Sequence, residues 1–510
     1  MKTKNIKTFL LAGLVLLSSS ACEKNFEPST AISDESALTN AGDIETATIG
    51  TYAVLRGSKY VRSYHFLTEY QSDEIAQGQN SSDDLSRCYR YTHVKNGSHL
   101  TNFWQQAYKV AFAANKIIGA IPDNANGEMK RLKGENLFLR AMVHFNLVRI
   151  YGRPYTQNNG NNPGVPILKD GLTEEQANTI SRSSVAQVYD FVINDLLSAS
   201  ALMEEGERTS GTVKANYFAT SYAANALLSR VYLYKGDNTK AIEFADKVIN
   251  SGKYELLQGN AFKDYFKIAP ESNKETIFAI RFTKAEDESW GAIGSMYYSG
   301  NPENISQPAA QGVGEGYAEV YASQSLVDEY AKNPSDLRSS FIAPYTISGV
   351  LQLNSKLSPK TPMYYVTKYS LQEGKTNLSS PVYLRLAEMF LIRAEANAKL
   401  GNTQLALNDL NVIRNRAGIP ALTTADVSVD KTILDLVLNE RRLELAFECH
   451  RAYDLFRNDK PMKRNYPGTH SLNNTPNTNI TQTIQPTDAR VIFFLPEVEV
   501  NKNPNLVQNQ

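Results

Sequence analysis

The sequence predicts a mostly α-helical protein, with about four packed helix pairs interrupted by an irregular, loop-rich half containing short strands. Three observations predict it. First, the stretch from Leu384 to Gly418 reads as two helices joined by a tight turn. Leu384, Ala387, Leu391, Ala394 and Ala398 recur at helical spacing on one face. Gly401 sits where a helix should stop, because glycine accepts the left-handed conformation that ends one. Asn402 or Thr403 is placed to cap the next helix. That helix carries Ala406, Leu410, Ile413 and Ala417 on one stripe, and the alanines allow the close approach of a tetratricopeptide-like hairpin. Second, Asn216 to Gly252 repeats the plan, with Gly236, Asp237 and Ala241 at the spacing of Gly401, Asn402 and Ala406. Third, the two copies flank a long stretch, residues 254–380, rich in Gly, Pro, Ser and Tyr. It has extended runs at Thr276 to Phe282 and Met363 to Tyr369, and little helix beyond Ser325 to Ala331. Such a segment on a helical scaffold is functional or disordered, and its tyrosines and apolar residues argue against disorder.

The elements follow in chain order. Lys2, Lys4 and Lys7 precede an apolar run from Phe9 to Leu17, then Ser18, Ser19, Ser20, Ala21 and Cys22. This is the layout of a secretory signal peptide, too short to span a bilayer permanently. A cysteine directly after small residues resembles a bacterial lipobox, with Ser19 where a larger aliphatic is usual. The reading is a lipoprotein signal peptide over 1–21, lipidation at Cys22, and a polar tether over 22–40 that leaves the protein held at a membrane surface. A single domain is expected over 41–510. Its helices are expected at 43–57, 103–121, 130–151, 185–203, within 216–252 and 384–418, and at 430–457. Residues 58–98 read as mixed and polar, and 152–184 as a Gly-, Pro- and Asn-rich loop. The last helix carries two opposed apolar stripes, which place it centrally. The tail has one strand-like run, VIFFL, before Pro496.

Composition limits the function classes. The chain has 510 residues, with 53 basic and 53 acidic side chains. Loss of 1–21 removes three lysines and leaves a net charge of −3, so no basic surface suggests a nucleic-acid partner. Cys88 and Cys449 are no disulfide framework. They could pair in an exported protein, but Cys449 falls in a helical pattern and reads better as a small buried residue. Histidines 65, 93, 99, 144, 450 and 470 show no metal-ligand spacing. There is no GxSxG, P-loop or GxGxxG, and no cofactor is expected. Glu440, Glu444 and Glu448, beside Arg441 and Arg451, read as charge pairing that locks a helix.

Several segments, in order, carry a family resemblance. ENLFLRAMVHFNLVRIYG, YLRLAEMFLIRAEANAKLGN with LNVIRNRAGI, NERRLELAFECHRAYDLFR and FLPEVEVNKNPNLVQN resemble the signature segments of the SusD/RagB family of outer-membrane lipoproteins of Bacteroidetes. Cys449 stands where glycine is usual, and Glu497 and Val498 depart from the usual closing pattern. The resemblance implies about eight helices in tetratricopeptide-like pairs under an irregular half. It also implies a non-enzymatic cell-surface receptor that binds a glycan, or in some members peptides, and hands it to a SusC-like TonB-dependent transporter. A glycoside hydrolase or a pure interaction scaffold are the readings from other classes.

Sugar rings present an apolar C–H face and hydroxyl edges, so a receptor needs exposed aromatic platforms beside carboxylates, amides or cations. Two stretches fit. One holds Asp73, Arg87, Tyr89, Arg90, Tyr91 and His93. The other holds Trp290, Tyr297, Tyr298, Asn301, Tyr317 and Tyr321. Trp290 is the leading candidate, because EDESWGAIG is a polar, Gly-flanked loop, whereas Trp104 opens a regular helix and reads as core. A hydrolase would need two carboxylates facing across a cleft, and Asp73, Asp83, Glu286 and Asp287 are the residues to consider.

Overall fold

The computed structural model describes residues 38–509 apart from 39, 78–82, 170, 204–208, 211–212, 298–299, 302–303, 309–315, 318, 348–349, 355–359 and 471–480. The signal peptide, Cys22, most of the tether and Tyr298 therefore lie outside the described residues. The principal helices are α1 (Ala41–Arg56), α2 (Ser58–Glu69), α3 (Asp84–Arg90), α4 (Ser98–Ala120), α5 (Gly127–Tyr151) and α6 (Val185–Leu202). They continue with α7 (Ser221–Lys235), α8 (Asn238–Ile249), α9 (Gln324–Ala331), α10 (Leu386–Lys399), α11 (Thr403–Ala417), α12 (Ile433–Glu444), α13 (Arg451–Phe456) and α14 (Glu497–Lys502).

Helices α4 and α5, α7 and α8, and α10 and α11 each pack as antiparallel neighbours along the chain. Helix α6 lies between α5 and α7, and α8 packs against α10, so the hairpins join into one array across the long interruption. Local chemistry explains the joints. Gly236 and Gly401 adopt φ of 89° and 80°, a conformation that costs other residues about 1 kcal/mol or more. Asp237 caps α8 by accepting the Lys240 N–H at 3.1 Å. Asn402 makes no such cap, and its side chain turns back to Asn397 instead. Ala387, Leu391, Ala394, Ala406, Leu407, Leu410 and Ile413 form a buried cluster between α10, α11 and α12. Leu384 belongs not to α10 but to a strand that precedes it.

The strands are short and pair two by two. Strand β1 (Ile75–Gln77) pairs with β3 (Val320–Ala322), and β2 (Thr276–Ala279) with β6 (Val382–Arg385). Strand β4 (Ile342–Pro344) pairs with β5 (Tyr364–Val366), and β7 (Met462–Arg464) with β8 (Gln482–Ile484), all antiparallel. Strand β2 lies in the first part of the long interruption and β6 just after its end, so their ladder, with Thr276 opposite Arg385, ties the two together at the scaffold.

Three expectations are corrected. Residues 58–98 are not merely polar loop: α2 and α3 lie there, and Glu69, Asp73 and Glu74 are buried. The helix expected over 430–457 breaks between Glu444 and Arg451. Phe447 and Cys449 take φ of 67° and 66°, and their N–H groups donate to the carboxylates of Glu74 (3.0 Å) and Glu69 (2.9 Å). Two buried carboxylates thus replace the helical carbonyls as acceptors. The VIFFL run is not a strand. Phe493 makes one backbone bond to the Ile150 carbonyl at 3.0 Å, and the run buries Phe493 and Leu495 at the end of α5.

Candidate functional site

The first stretch of candidates folds inward. Asp73 is buried and accepts from Arg451 at 2.8 Å. Burial works against its charge, but Arg451 and Arg442 overcome that cost and hold its carboxyl below the usual range. Tyr89 is buried with the Arg464 guanidinium 3.9 Å from its ring centre, and Tyr91 is buried with its hydroxyl donating to the Gln71 carbonyl at 2.6 Å. These three hold the fold and offer no face to a ligand. Arg87 is half-buried, pairing with Asp84 at 3.3 Å one turn away on α3. Arg90 is buried and His93 half-buried, its Nε2 3.2 Å from the Ile492 carbonyl.

The second stretch divides. Trp290 is 45% exposed and Tyr317 50% exposed, and their rings meet edge to face with centres 4.8 Å apart. Tyr297, by contrast, is 0% exposed. Its hydroxyl lies 2.7 Å from His65 Nε2, and its ring stacks on Tyr369 at 5.8 Å. It is the peg that fixes the loop to the core, not a ligand platform. Tyr321 is also buried, with Asn354 donating to its hydroxyl at 2.9 Å.

The aromatic corner is built by Ser295, on a one-turn helix from Gly294 to Tyr297. The Ser295 hydroxyl donates to the Trp290 carbonyl at 2.9 Å, and its own carbonyl accepts the Tyr317 N–H at 2.5 Å. One buried serine therefore sets the spacing of both rings. Ser289, before Trp290, takes φ of 48°, a conformation that non-glycine residues hold only when their surroundings impose it. Gly294 admits no side chain, since a Cβ there would lie 2.1 Å from the Tyr369 carbonyl oxygen.

Beside the corner, α2 and the loop 377–381 line a shallow hollow with Arg62, Asp287, Glu288 and Asn377 on its wall. It encloses only about 20 Å³, too little to surround a ligand. Arg62 stacks over Phe66 at 5.1 Å, and its Nε is buried without an acceptor among the described residues. Burial lowers the Arg62 pKa from its ordinary value, opposed by Tyr70, Tyr317 and Glu319 nearby. The corner therefore joins two apolar faces to hydrogen-bonding groups of both signs. Sequence reasoning misses Arg62 and Asn377. The helical recurrence of Val61, His65 and Thr68 could have exposed α2; nothing local marks Asn377.

Two larger hollows lie elsewhere, one of about 300 Å³ beside Tyr52, Tyr217 and Phe218, and one of about 540 Å³ beside Trp104, Tyr108 and Phe112. Tyr52 and Trp104 are buried there, as expected of Trp104. Glu286 pairs with Arg56, and Asp83 caps α3 by accepting the Ser86 N–H at 2.8 Å. The Glu440, Glu444 and Glu448 series is charge-paired, though its partners come from other elements. Cys88 and Cys449 are free buried thiols. Among the described residues no helix is long and apolar enough to cross a membrane.

Comparison with known proteins accords with this architecture. A family model described as "SusD family" matches residues 345–510, and one described as "Starch-binding associating with outer membrane" matches residues 25–233. SusD-like protein P2 of Formosa agariphila is 24% identical over 532 aligned positions, which cover 98% of each chain. The crystal structure of a SusD superfamily protein from Bacteroides thetaiotaomicron matches with a TM-score of 0.78 at 26% identity, over 92% of this chain and 100% of that one. A laminarin binding SusD-like protein shares the fold, with a TM-score of 0.69 at 21% identity over 92% of this chain and 99% of that one. Family models at both ends, a relative aligned along nearly the whole length and the matching helical scaffold lead to one conclusion: the chain belongs to the SusD/RagB family.

Proposed function

We propose that this protein is a lipid-anchored receptor on the outer-membrane surface that captures a glycan and passes it, unreacted, to a SusC-like TonB-dependent transporter. The observation that carries the reading is the Trp290–Tyr317 corner, two exposed rings held at 4.8 Å by a strained loop beside Arg62, Glu288 and Asn377. Rings so placed suit the apolar face of a sugar, and the neighbouring polar groups suit its hydroxyls. The family description of starch binding at the outer membrane and the laminarin binding of a structural relative support the choice of a glycan over a peptide. Of the carboxylates considered for a hydrolase, Asp73 is paired with Arg451, Glu286 with Arg56 and Asp287, on the wall of the hollow, with Lys375, which supports binding without turnover. Exposed aromatic surface is the part of the site on which Tyr297, Tyr89 and Tyr91 do not contribute.

Mature protein incubated with a panel of glycans and peptides should retain a glycan and release no products. For the retained glycan, Trp290→Ala should cost about 2 kcal/mol, roughly thirtyfold in Kd by calorimetry. Unchanged affinity would remove the corner from the site. Retention of peptides alone, or appearance of cleaved sugar, would replace the glycan-receptor reading. The anchor is tested apart: Cys22→Ala should move the protein from the membrane fraction to the soluble fraction, and continued membrane attachment would refute lipidation at Cys22.

A further inference from the structure

We propose that a small monovalent anion of chloride size binds in the interior, against Arg149 in the cavity behind the recognition loop. Arg149 lies on α5 and is buried. Its Nη2 donates to the Tyr64 hydroxyl and to Asn146 Oδ1 at 3.0 Å. Its Nε and Nη1 reach no acceptor, and it makes no ion pair among the described residues. Four rings surround the guanidinium instead: Tyr453 at 4.7 Å, Phe145 at 5.0 Å, Tyr234 at 5.6 Å and Tyr64 at 5.8 Å. Burial raises the phenol pKa of Tyr64, Tyr234 and Tyr453, so these rings stay neutral and supply no counter-charge.

Arg149 lines a cavity of about 40 Å³ together with Arg230, His450, Tyr383 and Glu448. The other charges on that wall are already matched. Arg230 pairs with Glu388 at 2.6 Å, and Glu448 pairs with Arg385 at 2.8 Å and Lys368 at 2.6 Å. His450 Nδ1 has no hydrogen-bond partner, and burial with Arg230, Arg441 and Arg149 nearby keeps its ring neutral. The wall thus holds one cation too many and unused donors. An uncompensated buried charge is among the costliest arrangements in a protein, and a weakly hydrated anion in a space that holds one or two water-sized spheres removes the cost. Val61, Ile293 and Pro381 line both this cavity and the surface hollow, while Trp290 and Tyr317 do not touch it, so the anion site is separate from the glycan corner.

Crystals of the protein purified and grown in bromide should show an anomalous peak in this cavity against the Arg149 guanidinium. At constant ionic strength the melting temperature should be about 2 °C higher in bromide or chloride than in gluconate, which is too large to enter. Arg149→Met should abolish both the peak and the halide dependence. A bromide map with only water-like density there would overturn the proposal, as would melting that is the same in halide and gluconate. A peak that persists in Arg149→Met would also overturn it. The bromide map of the unaltered protein decides the matter even where the variant does not fold.

Discussion

Replacing Arg385 with methionine is expected to cost about 3–5 kcal/mol of folding stability, the range for removing one partner of a buried ion pair. Arg385 ends β6 and is buried. Its guanidinium donates to Glu448 Oε2 at 2.8 Å and Oε1 at 2.9 Å, to Glu444 Oε1 at 2.6 Å and the Glu444 carbonyl at 2.8 Å, and to Glu275 Oε1 at 3.1 Å. Glu444 and Glu275 are shared with Arg416 on α11, at 2.5 and 3.1 Å, and Glu448 is shared with Lys368 at 2.6 Å. Burial alone would raise the Glu444 pKa; Arg416, Arg385 and Arg338 reverse the direction and hold it well below the usual carboxylate range. Without Arg385, three buried carboxylates lose a cation at once. The network joins α11 and α12 to Glu275 and Lys368 of the long interruption, so the same change should loosen the loop-rich half from the scaffold. Urea unfolding of the mature protein measures the cost, with Lys240→Met as the contrast. Lys240 pairs with Glu243 on the exposed surface of α8, and its loss should leave the unfolding curve in place. A cost below about 1 kcal/mol for Arg385→Met would show that this network does not hold the fold.

What was legible in the sequence was what is encoded locally. The two hairpins announce themselves through Gly236 and Gly401 and through alanines at helical spacing, because turn chemistry and close packing need only neighbouring residues. The exposure of Trp290 was legible because an aromatic ring in a polar, glycine-flanked loop has no apolar stripe to join. The rest depended on partners far along the chain. Glu69 and Glu74 lie in a stretch that reads only as mixed and polar, yet they are buried, with N–H groups of residues 447 and 449 brought to them. Tyr89 and Tyr297 read as platforms, yet Arg464 covers one and His65 anchors the other. The break before Arg451 had one visible sign: Cys449 occupies a left-handed position, where the resembled family usually carries glycine.

Acidification should unfold this protein well before its ion pairs are protonated. His65, His144 and His450 are buried. Burial depresses all three, His65 to about 3, His144 to about 4 and His450 well below its ordinary value. The geometry of His144 shows why. Its Nδ1 lies 2.8 Å from the Arg140 carbonyl and must donate, while its Nε2 accepts the Leu168 N–H at 3.2 Å. A second proton would set two N–H groups against each other. Because the folded values lie below the unfolded value of about 6.5, this stability is complete above that pH and is lost as the pH falls below it. At pH 5 each ring should cost about 2 kcal/mol, together about 6, which rivals the whole stability of an ordinary fold. The Glu69–Glu74 pair works in the opposite sense. Burial raises both carboxyls, so their contribution is complete at low pH and declines as the pH rises. Glu69→Gln should therefore steepen the acid limb. Asp73, Glu444 and Glu448 are held below the ordinary range and stay charged throughout this window, so they cannot account for a loss that begins near pH 6. Urea midpoints should fall progressively from pH 6.5 to pH 5. Midpoints that hold level to pH 5 and drop only below pH 4 would assign the acid lability to the carboxylates instead of the buried histidines.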